Sequence, residues 1–243
     1  MQSKGWLNVS RARVKCHVFV DFDGTIVPCD ATDFLFEQFA DPSWRDVESE
    51  WQAGNIGSRE CMTRQVSLLR ASPKRLAEAI SELKVDAGFA TFVRECRRNG
   101  VGMTIVSDGF DFAIEHVLRN AGLSVPFYAN HLESIGGDRW RVTFPSARSD
   151  CRALAGNCKC AFTEPHSTSV KVVVGDGRSD FCIAGQVDLV FAKAKLLELC
   201  RSNGTTHLPF EDFFEVTAKL GSWLSSDGHR APAAIPIARQ ASG

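Results

Sequence analysis

Three short apolar runs in this chain stop in the same way. "VFVDFDG" (18–24), "MTIVSDG" (103–109) and "VVVGDG" (172–177) each pass from β-branched or aromatic residues into an aspartate followed by glycine. Runs of this kind read as strands buried on both faces, which are characteristic of parallel sheets. In open α/β sheets, ligands bind beyond the carboxyl ends of the strands. The shared ending therefore directs Asp21, Asp23, Ser107, Asp108, Asp176 and Asp180 to one rim. A single Asp-Gly pair needs only turn chemistry to explain it. Three of them, with Asp21 doubled by Asp23, point to a site. Residues two apart in extended backbone face the same side, so Asp21 and Asp23 repel each other unless a cation or a bend intervenes.

Helical patterns separate the strands. "ATDFLFEQFA", "SRECMTRQVSLL" and "SPKRLAEAISEL" fill residues 31 to 83, the last opening with Ser72 as N-cap and Pro73 in the first turn. "GFATFVRECRRNG" is a helix closed by Gly100, and "FDFAIEHVLRNAG" is another. "YANHLESIGGDRWRVTF" reads as a hairpin turning at Gly136-Gly137-Asp138, "VDLVFA" as a further strand, and "KAKLLELCR" as the helix after it. This alternation predicts an α/β domain with a parallel sheet and right-handed crossovers. The expected organisation is a flexible extension (1–13), an α/β catalytic core (14–30 and 86–224), an all-helical cap inserted after the first strand (31–85) and a disordered tail (225–243).

Composition narrows the function. A formal net charge of −1, with Lys and Arg scattered, leaves no footprint for nucleic acid or an anionic membrane. No apolar run approaches the ~18 residues of a membrane span, and the N-terminus lacks an apolar signal core. Cys16, Cys61, Cys96, Cys182 and Cys200 sit in apolar patterns and are expected to be buried, reduced thiols, so a cytoplasmic location is expected. Cys151, Cys158 and Cys160, with His166, could form a structural zinc site. Their spacing is not a standard finger pattern, and idle thiols are favoured.

Carboxylates gathered at one rim are best neutralised by a hard divalent cation. Mg²⁺ suits oxygen ligands with a substrate phosphate completing the shell, and the three turns contain no His or Cys that would favour zinc.

"DFDGT", "VSDG" and "GDGRSD", in that order, resemble the first, second and fourth motifs of the haloacid dehalogenase (HAD) superfamily of aspartate-nucleophile phosphatases. The resemblance covers roughly residues 15–220, and the helical insertion matches that family's type 1 cap. It implies a HAD-like Rossmannoid fold and a Mg-dependent phosphomonoester hydrolase acting on a small phosphate ester. Asp21 would be the nucleophile that forms an aspartyl-phosphate, and Asp23 the general acid and base. Mg²⁺ would be held by Asp21, the Asp23 carbonyl and Asp176, with Asp180 nearby. Gly24, Thr25, Ser107 and the Asp108-Gly109 turn would meet the phosphoryl group or the substrate.

The resemblance also calls for a lysine that bridges nucleophile and phosphate. Lys159 and Lys171 are available; Lys171 begins a strand and belongs at the opposite end of the sheet, so Lys159 is favoured. Within the cap, Asp30 and Arg64 fall where phosphoserine phosphatases read their substrate. Both also have plainer readings, as a helix N-cap and a solvated helix face.

"FPSARSDCRALAGNCKC", "GDGRSDFCIAGQVDLVFAKAKLLELC" and "THLPFEDFFEV" resemble the MtnX-like branch of subfamily IB. That branch is itself similar to phosphoserine phosphatases, and it implies the methionine-salvage ester 2-hydroxy-3-keto-5-methylthiopentenyl-1-phosphate as substrate. "SDG" stands where those enzymes more often carry "SGG", which keeps phosphoserine, phosphoethanolamine and phosphocholine open as alternatives. From another class, a phospho-accepting regulatory domain without turnover would use similar strand-end aspartates. A monomer or homodimer is expected.

Overall fold

The computed structural model describes residues 15–151, 153–166 and 169–226. Among them a seven-stranded sheet is built from β1 (Cys16–Val20), β2 (Gly102–Phe110), β3 (Phe127–Ser134), β4 (Trp140–Thr143), β5 (Val170–Gly175), β6 (Leu189–Ala192) and β7 (His207–Pro209), in the order β4-β3-β2-β1-β5-β6-β7. Every pairing is parallel except the β3–β4 hairpin. The fold is mixed α/β, as the alternation of the sequence predicts.

Successive strand residues enter different cores. Val18 and Val20 of β1, Val172 and Val174 of β5 and Phe191 of β6 pack on one face with α5 (Phe89–Asn99), α6 (Asp111–Asn120) and α9 (Phe213–Ser225). Phe19, Val173, Val190 and Ala192 pack on the other with α7 (Phe181–Ala184) and α8 (Ala194–Asn203). Apolar residues at consecutive positions are what a sheet covered on both faces requires. Gly100 closes α5 in the left-handed conformation, at φ 69°.

Four helices lie between β1 and α5: α1 (Ala31–Phe39), α2 (Trp44–Gln52), α3 (Ser58–Leu68) and α4 (Pro73–Ile80). The Ser72 side chain caps α4 by accepting from Arg75 N. Ala40 and Leu69 form a short antiparallel bridge that closes the base of α1–α3, and Trp140 Nε1 ties this base to the sheet by donating to Ala71 O at 2.8 Å.

Some expectations are corrected. Helix α2 was not foreseen, although Trp44, Val47 and Trp51 recur at helical spacing. The short strand β7 and helix α9 are further elements beyond the expected ones. Strand β2 runs through "SDG" as expected and one residue further, to Phe110, with a register shift against β3. Helix α9 reaches Ser225, the first residue of the expected tail; residues 227–243 and 1–14 lie outside the described residues. Cys16, Cys61, Cys96 and Cys200 are buried as expected, whereas Cys182 is exposed because it faces outward on the single turn of α7. No helix among the described residues is long and apolar enough to cross a membrane.

Candidate active site

Register decides where the acids meet. Val20 is level with Ile105 on β2 and Val174 on β5, so the ladders that β1 makes with both neighbours end at one height. Asp21 N still donates to Val174 O at 2.9 Å, which fixes Asp21 as the first residue beyond the sheet. The backbone then turns: Thr25, Ile26 and Val27 all donate to Phe22 O. Gly24 sits in this turn at φ +64°, and a Cβ there would lie 2.4 Å from Asp176 Oδ2. The loop from β1 therefore packs directly on the aspartate that follows β5.

One oxygen from each of Asp21, Asp176 and Asp180 lies within 4.8 Å of the other two. Asp21 is 5% exposed and Asp180 fully buried. The buried Lys159 ammonium lies between them, 2.8 Å from Asp21 Oδ1 and 2.7 Å from Asp180 Oδ1, and it also donates to Ser179 Oγ at 2.9 Å. Lys171 is level with His17 near the start of β5, away from this rim. Burial alone would lower the Lys159 ammonium, but Asp180 and Asp21 outweigh it and hold it strongly protonated. Burial, then the charge of Asp180, pushes the Asp21 carboxyl well up against the pull of Lys159. Asp176 is raised for the same two reasons, burial first.

Three carboxylates against one ammonium leave negative charge uncompensated in a buried site. A hard divalent cation fits that donor set: oxygen ligands from separate loops, close enough to share one ion. Asp21, Asp176 and Asp180 could hold it, and the Asp23 side chain stands outside the group. Asp180 is otherwise engaged, with Oδ2 accepting from Asp176 N and Gly177 N at 3.3 Å each.

Asp23 points elsewhere. Its Oδ1 accepts from Ala31 N at 2.8 Å, and its Oδ2 accepts from Ser107 Oγ at 3.3 Å. Burial, then the charge of Asp30, raises its carboxyl well above the usual range, so it holds a proton readily. Asp21 Oδ1 is held twice, by Lys159 and by Phe22 N at 2.8 Å, while Oδ2 accepts no hydrogen bond among the described residues. Ser107 is fully buried; its hydroxyl also accepts from Gly109 N at 2.9 Å. Thr25 is buried too and donates to Asp176 Oδ1 at 3.2 Å.

A cavity of about 390 Å³ opens over these groups. Asp21, Asp23, Gly24, Asp108, Gly109 and Asp176 line its floor. Asp30, Asp33, Glu48, Trp51, Ser58 and Met62, from α1 to α3 and the loop before them, line the opposite side. Arg178 is the one Lys or Arg among the described lining residues; it lies over the Trp51 ring, 5.7 Å from the centroid. Asp30 caps α1, accepting from Thr32 N and Asp33 N at 2.9 Å each. Asp108 is also tied down: Ser58 Oγ donates to Oδ2 at 2.5 Å and Asn157 N to Oδ1 at 2.8 Å. Arg64 is not brought to the cavity; it forms a two-pronged pair with Glu50 at 2.7 and 2.8 Å on the outside of the cap.

Sequence reading missed Asp33, Glu48, Trp51, Met62 and Arg178 in the cavity. Glu48 and Trp51 lie on the unforeseen α2, so its helical spacing was the available signal. The cysteines form no group, among the described residues, with a third metal-ligand side chain close enough to share an ion. Among the described residues the three aspartates are the one group of metal-ligand side chains close enough to share an ion. All four cysteines near this segment are free thiols: Cys151 and Cys158 hydrogen-bond to each other, as do Cys160 and Cys182, and His166 stacks on His17 at 3.8 Å.

A family model, haloacid dehalogenase-like hydrolase, matches residues 18–185. A 2-hydroxy-3-keto-5-methylthiopentenyl-1-phosphate phosphatase from Exiguobacterium sp. is 32% identical over 209 residues, covering 84% of this chain and 96% of that protein. The protein of the same name from Geobacillus kaustophilus is 34% identical over 212 residues, covering 84% and 94%. Among solved structures, a substrate-bound phosphoserine phosphatase superposes with a TM-score of 0.65 at 20% identity, covering 84% of this chain and 98% of that one. At that identity the superposition speaks for the fold.

Proposed function

Starting from the fact that the chain belongs to the haloacid dehalogenase-like hydrolase family and is a phosphomonoesterase, we propose that it hydrolyses 2-hydroxy-3-keto-5-methylthiopentenyl-1-phosphate with Mg²⁺, in the cytoplasm. One observation carries the choice of nucleophile. Asp21, at the cavity floor, has one oxygen fixed by Phe22 N and Lys159 and the other without a donor among the described residues.

In this reading the free oxygen of Asp21 attacks phosphorus, and the P–O bond to the alcohol breaks. Asp23, held protonated by burial, gives its proton to the departing alkoxide. Asp23 then takes a proton from the water that attacks the aspartyl-phosphate, which releases inorganic phosphate and regenerates Asp21. Lys159 orients Asp21 and offsets charge at the phosphoryl group, while Ser107, beneath the floor, aligns Asp23. Mg²⁺, held by Asp21, Asp176, Asp180 and the Asp23 carbonyl, would shield the anionic nucleophile from the anionic ester. Helices α1–α4 serve as the cap that covers the reacting groups.

The named relatives support the salvage ester. A second reading, a phosphate ester of a cationic alcohol such as phosphoethanolamine or phosphocholine, is favoured by the cavity wall. Asp30, Asp33 and Glu48 on the cap side and Asp108 on the floor line the cavity, with Arg178 as the one Lys or Arg among the described lining residues. The same wall disfavours phosphoserine, whose carboxylate would find acids rather than Arg64. Phosphate release measured in parallel on these four esters with Mg²⁺ tests both readings. The proposal expects the salvage ester to have the highest kcat/KM. A preference for the aminoalkyl esters would move the assignment to the second reading, and phosphorylation once per chain without release would sink both.

A further inference from the structure

Strands β2 and β3 lose their ladder at the active-site end. Val106 pairs with Tyr128 and Phe110 with Asn130, so Ser107, Asp108 and Gly109 stand opposite Ala129 alone. Such a bulge leaves backbone carbonyls without their rung. Here one side chain from a distant loop supplies it. The Asn157 amide nitrogen donates to Ser107 O at 2.7 Å and to Tyr128 O at 2.8 Å, one bond to each side of the opened ladder. Asn157 N then donates to Asp108 Oδ1 at 2.8 Å. The residue is 1% exposed.

The loop reaches this position because Gly156 precedes it. A Cβ on Gly156 would lie 2.6 Å from Asn130 Oδ1 and 2.7 Å from a Phe144 ring carbon. Two residues beyond Asn157, Lys159 extends to Asp21 and Asp180. On the other side of the clamp, Ser107 reaches Asp23. Asn157 thus joins by three hydrogen bonds the two segments that carry the partners of the nucleophile and of the proton donor.

We propose that Asn157 is a positioning residue for phosphoryl transfer: as a side-chain rung in the β2–β3 bulge, it sets the Lys159 loop against the Ser107 turn. The inference rests on the phosphatase reading, because it assigns Lys159 and Ser107 their partners in that reaction. It depends on donation. Both amide hydrogens are used, whereas Asn157 Oδ1 has no partner among the described residues. An aspartate has the same shape, but it donates no bond when ionised and one at most when protonated, so it cannot supply both.

The test compares Asn157→Ala and Asn157→Asp with wild type on p-nitrophenyl phosphate with Mg²⁺, well below each protein's Tm. Leu220→Ala, which opens a cavity where α9 packs into the core and touches no residue placed in the site, serves as a comparator for lost stability. The expected result is a fall in kcat of at least about tenfold in both Asn157 variants with KM changed less than about threefold, since small misplacements of reacting groups are costly. Leu220→Ala should keep kcat within about twofold despite a lower Tm. An Asn157→Asp enzyme with wild-type kcat would overturn the inference, as would an equal kcat loss in Leu220→Ala at an equal loss of Tm. Should Asn157→Ala not fold, Asn157→Ser is judged by the same criteria. A wild-type chain that releases no phosphate would instead count against the phosphatase reading itself.

Discussion

The floor and the cap side of one cavity are both rich in carboxylates and treat them in opposite ways. On the floor, Lys159, 2% exposed, is clamped between Asp21 and Asp180, and backbone amides hold Asp180 Oδ2 and share Asp21 Oδ1, so that Asp21 Oδ2 alone of these four oxygens lacks a donor among the described residues. On the cap side, Asp30, Asp33 and Glu48 gather with no lysine among the described lining residues, and the cap's Arg64 is turned outward onto Glu50. Buried charge has to be satisfied by fixed partners, so the floor is determined by the fold. Half-exposed charge can be satisfied by whatever enters the cavity, so the cap side is free to select. Chemistry and specificity are thereby separated in one pocket.

The largest effect should come from the floor. Asp21→Asn keeps the shape and the Lys159 contact but removes the attacking carboxylate; kcat for phosphate release should drop on the order of a thousandfold or more. Single-turnover phosphate release measures it, and a variant within tenfold of wild type would remove Asp21 from its role. Lys159→Met should come next. It leaves Asp21 and Asp180 buried without their counter-ion, so alongside lost activity it should cost about 3–5 kcal/mol of stability by denaturant titration. Mg²⁺ should return part of that loss, because an ion bound to the folded state alone stabilises by mass action. In wild type, Mg²⁺ should likewise raise Tm and EDTA reverse the rise; a chain indifferent to both would count against a shared ion at Asp21, Asp176 and Asp180.

The same contrast explains what the sequence made legible. The floor could be read because its residues sit at fixed offsets from strand ends: Asp21, Ser107 and Asp176 follow β-branched runs that register brings level. Lys159 followed from strand polarity, which sends Lys171 to the far end. The cap wall could not be read in this way. Glu48 and Trp51 reach the cavity only through α2, whose mostly polar sequence "WRDVESEWQ" signals a helix through Trp44, Val47 and Trp51 alone and does not say which polar face looks inward. Arg64 was misplaced because position along a helix does not say which face looks inward; Glu50, on the neighbouring helix, decided that. Asn157 carried no local signal at all, because its partners are carbonyls exposed by a bulge in two other strands.

A smaller and pH-dependent effect should appear on the cap side. Burial, then the charges of Asp30, Glu48 and Glu37, pushes the Asp33 carboxyl up to about 7 from its ordinary 3.8. Between those values the folded chain keeps a proton that the unfolded chain has released. Stability from this group is therefore full below pH 3.8, falls as pH rises, and is lost above about 7. Asp33→Asn removes that slope. Its Tm should exceed that of wild type at pH 8 by more than at pH 5, measured by thermal melts in matched buffers; an equal offset at both values would contradict the crowding of acids on this wall. A cationic ester in the cavity should raise the wild-type Tm most where Asp33 is ionised.

The smallest effect is expected at Arg64, and it separates two views of the cap. If Arg64 reads the substrate, Arg64→Ala should raise KM by at least about tenfold, as loss of a charged hydrogen-bonded partner does. In the structure its guanidinium is spent on Glu50 and Glu60, with half-exposed side chains on both sides of the pair. An exposed pair of that kind contributes little, and its loss leaves no buried charge behind. We therefore expect kcat and KM within about twofold of wild type for the preferred ester, and no selective loss on phosphoserine. A large KM increase confined to phosphoserine would mean that the cap can turn Arg64 inward, so that its acidic wall is not the surface that meets the leaving group.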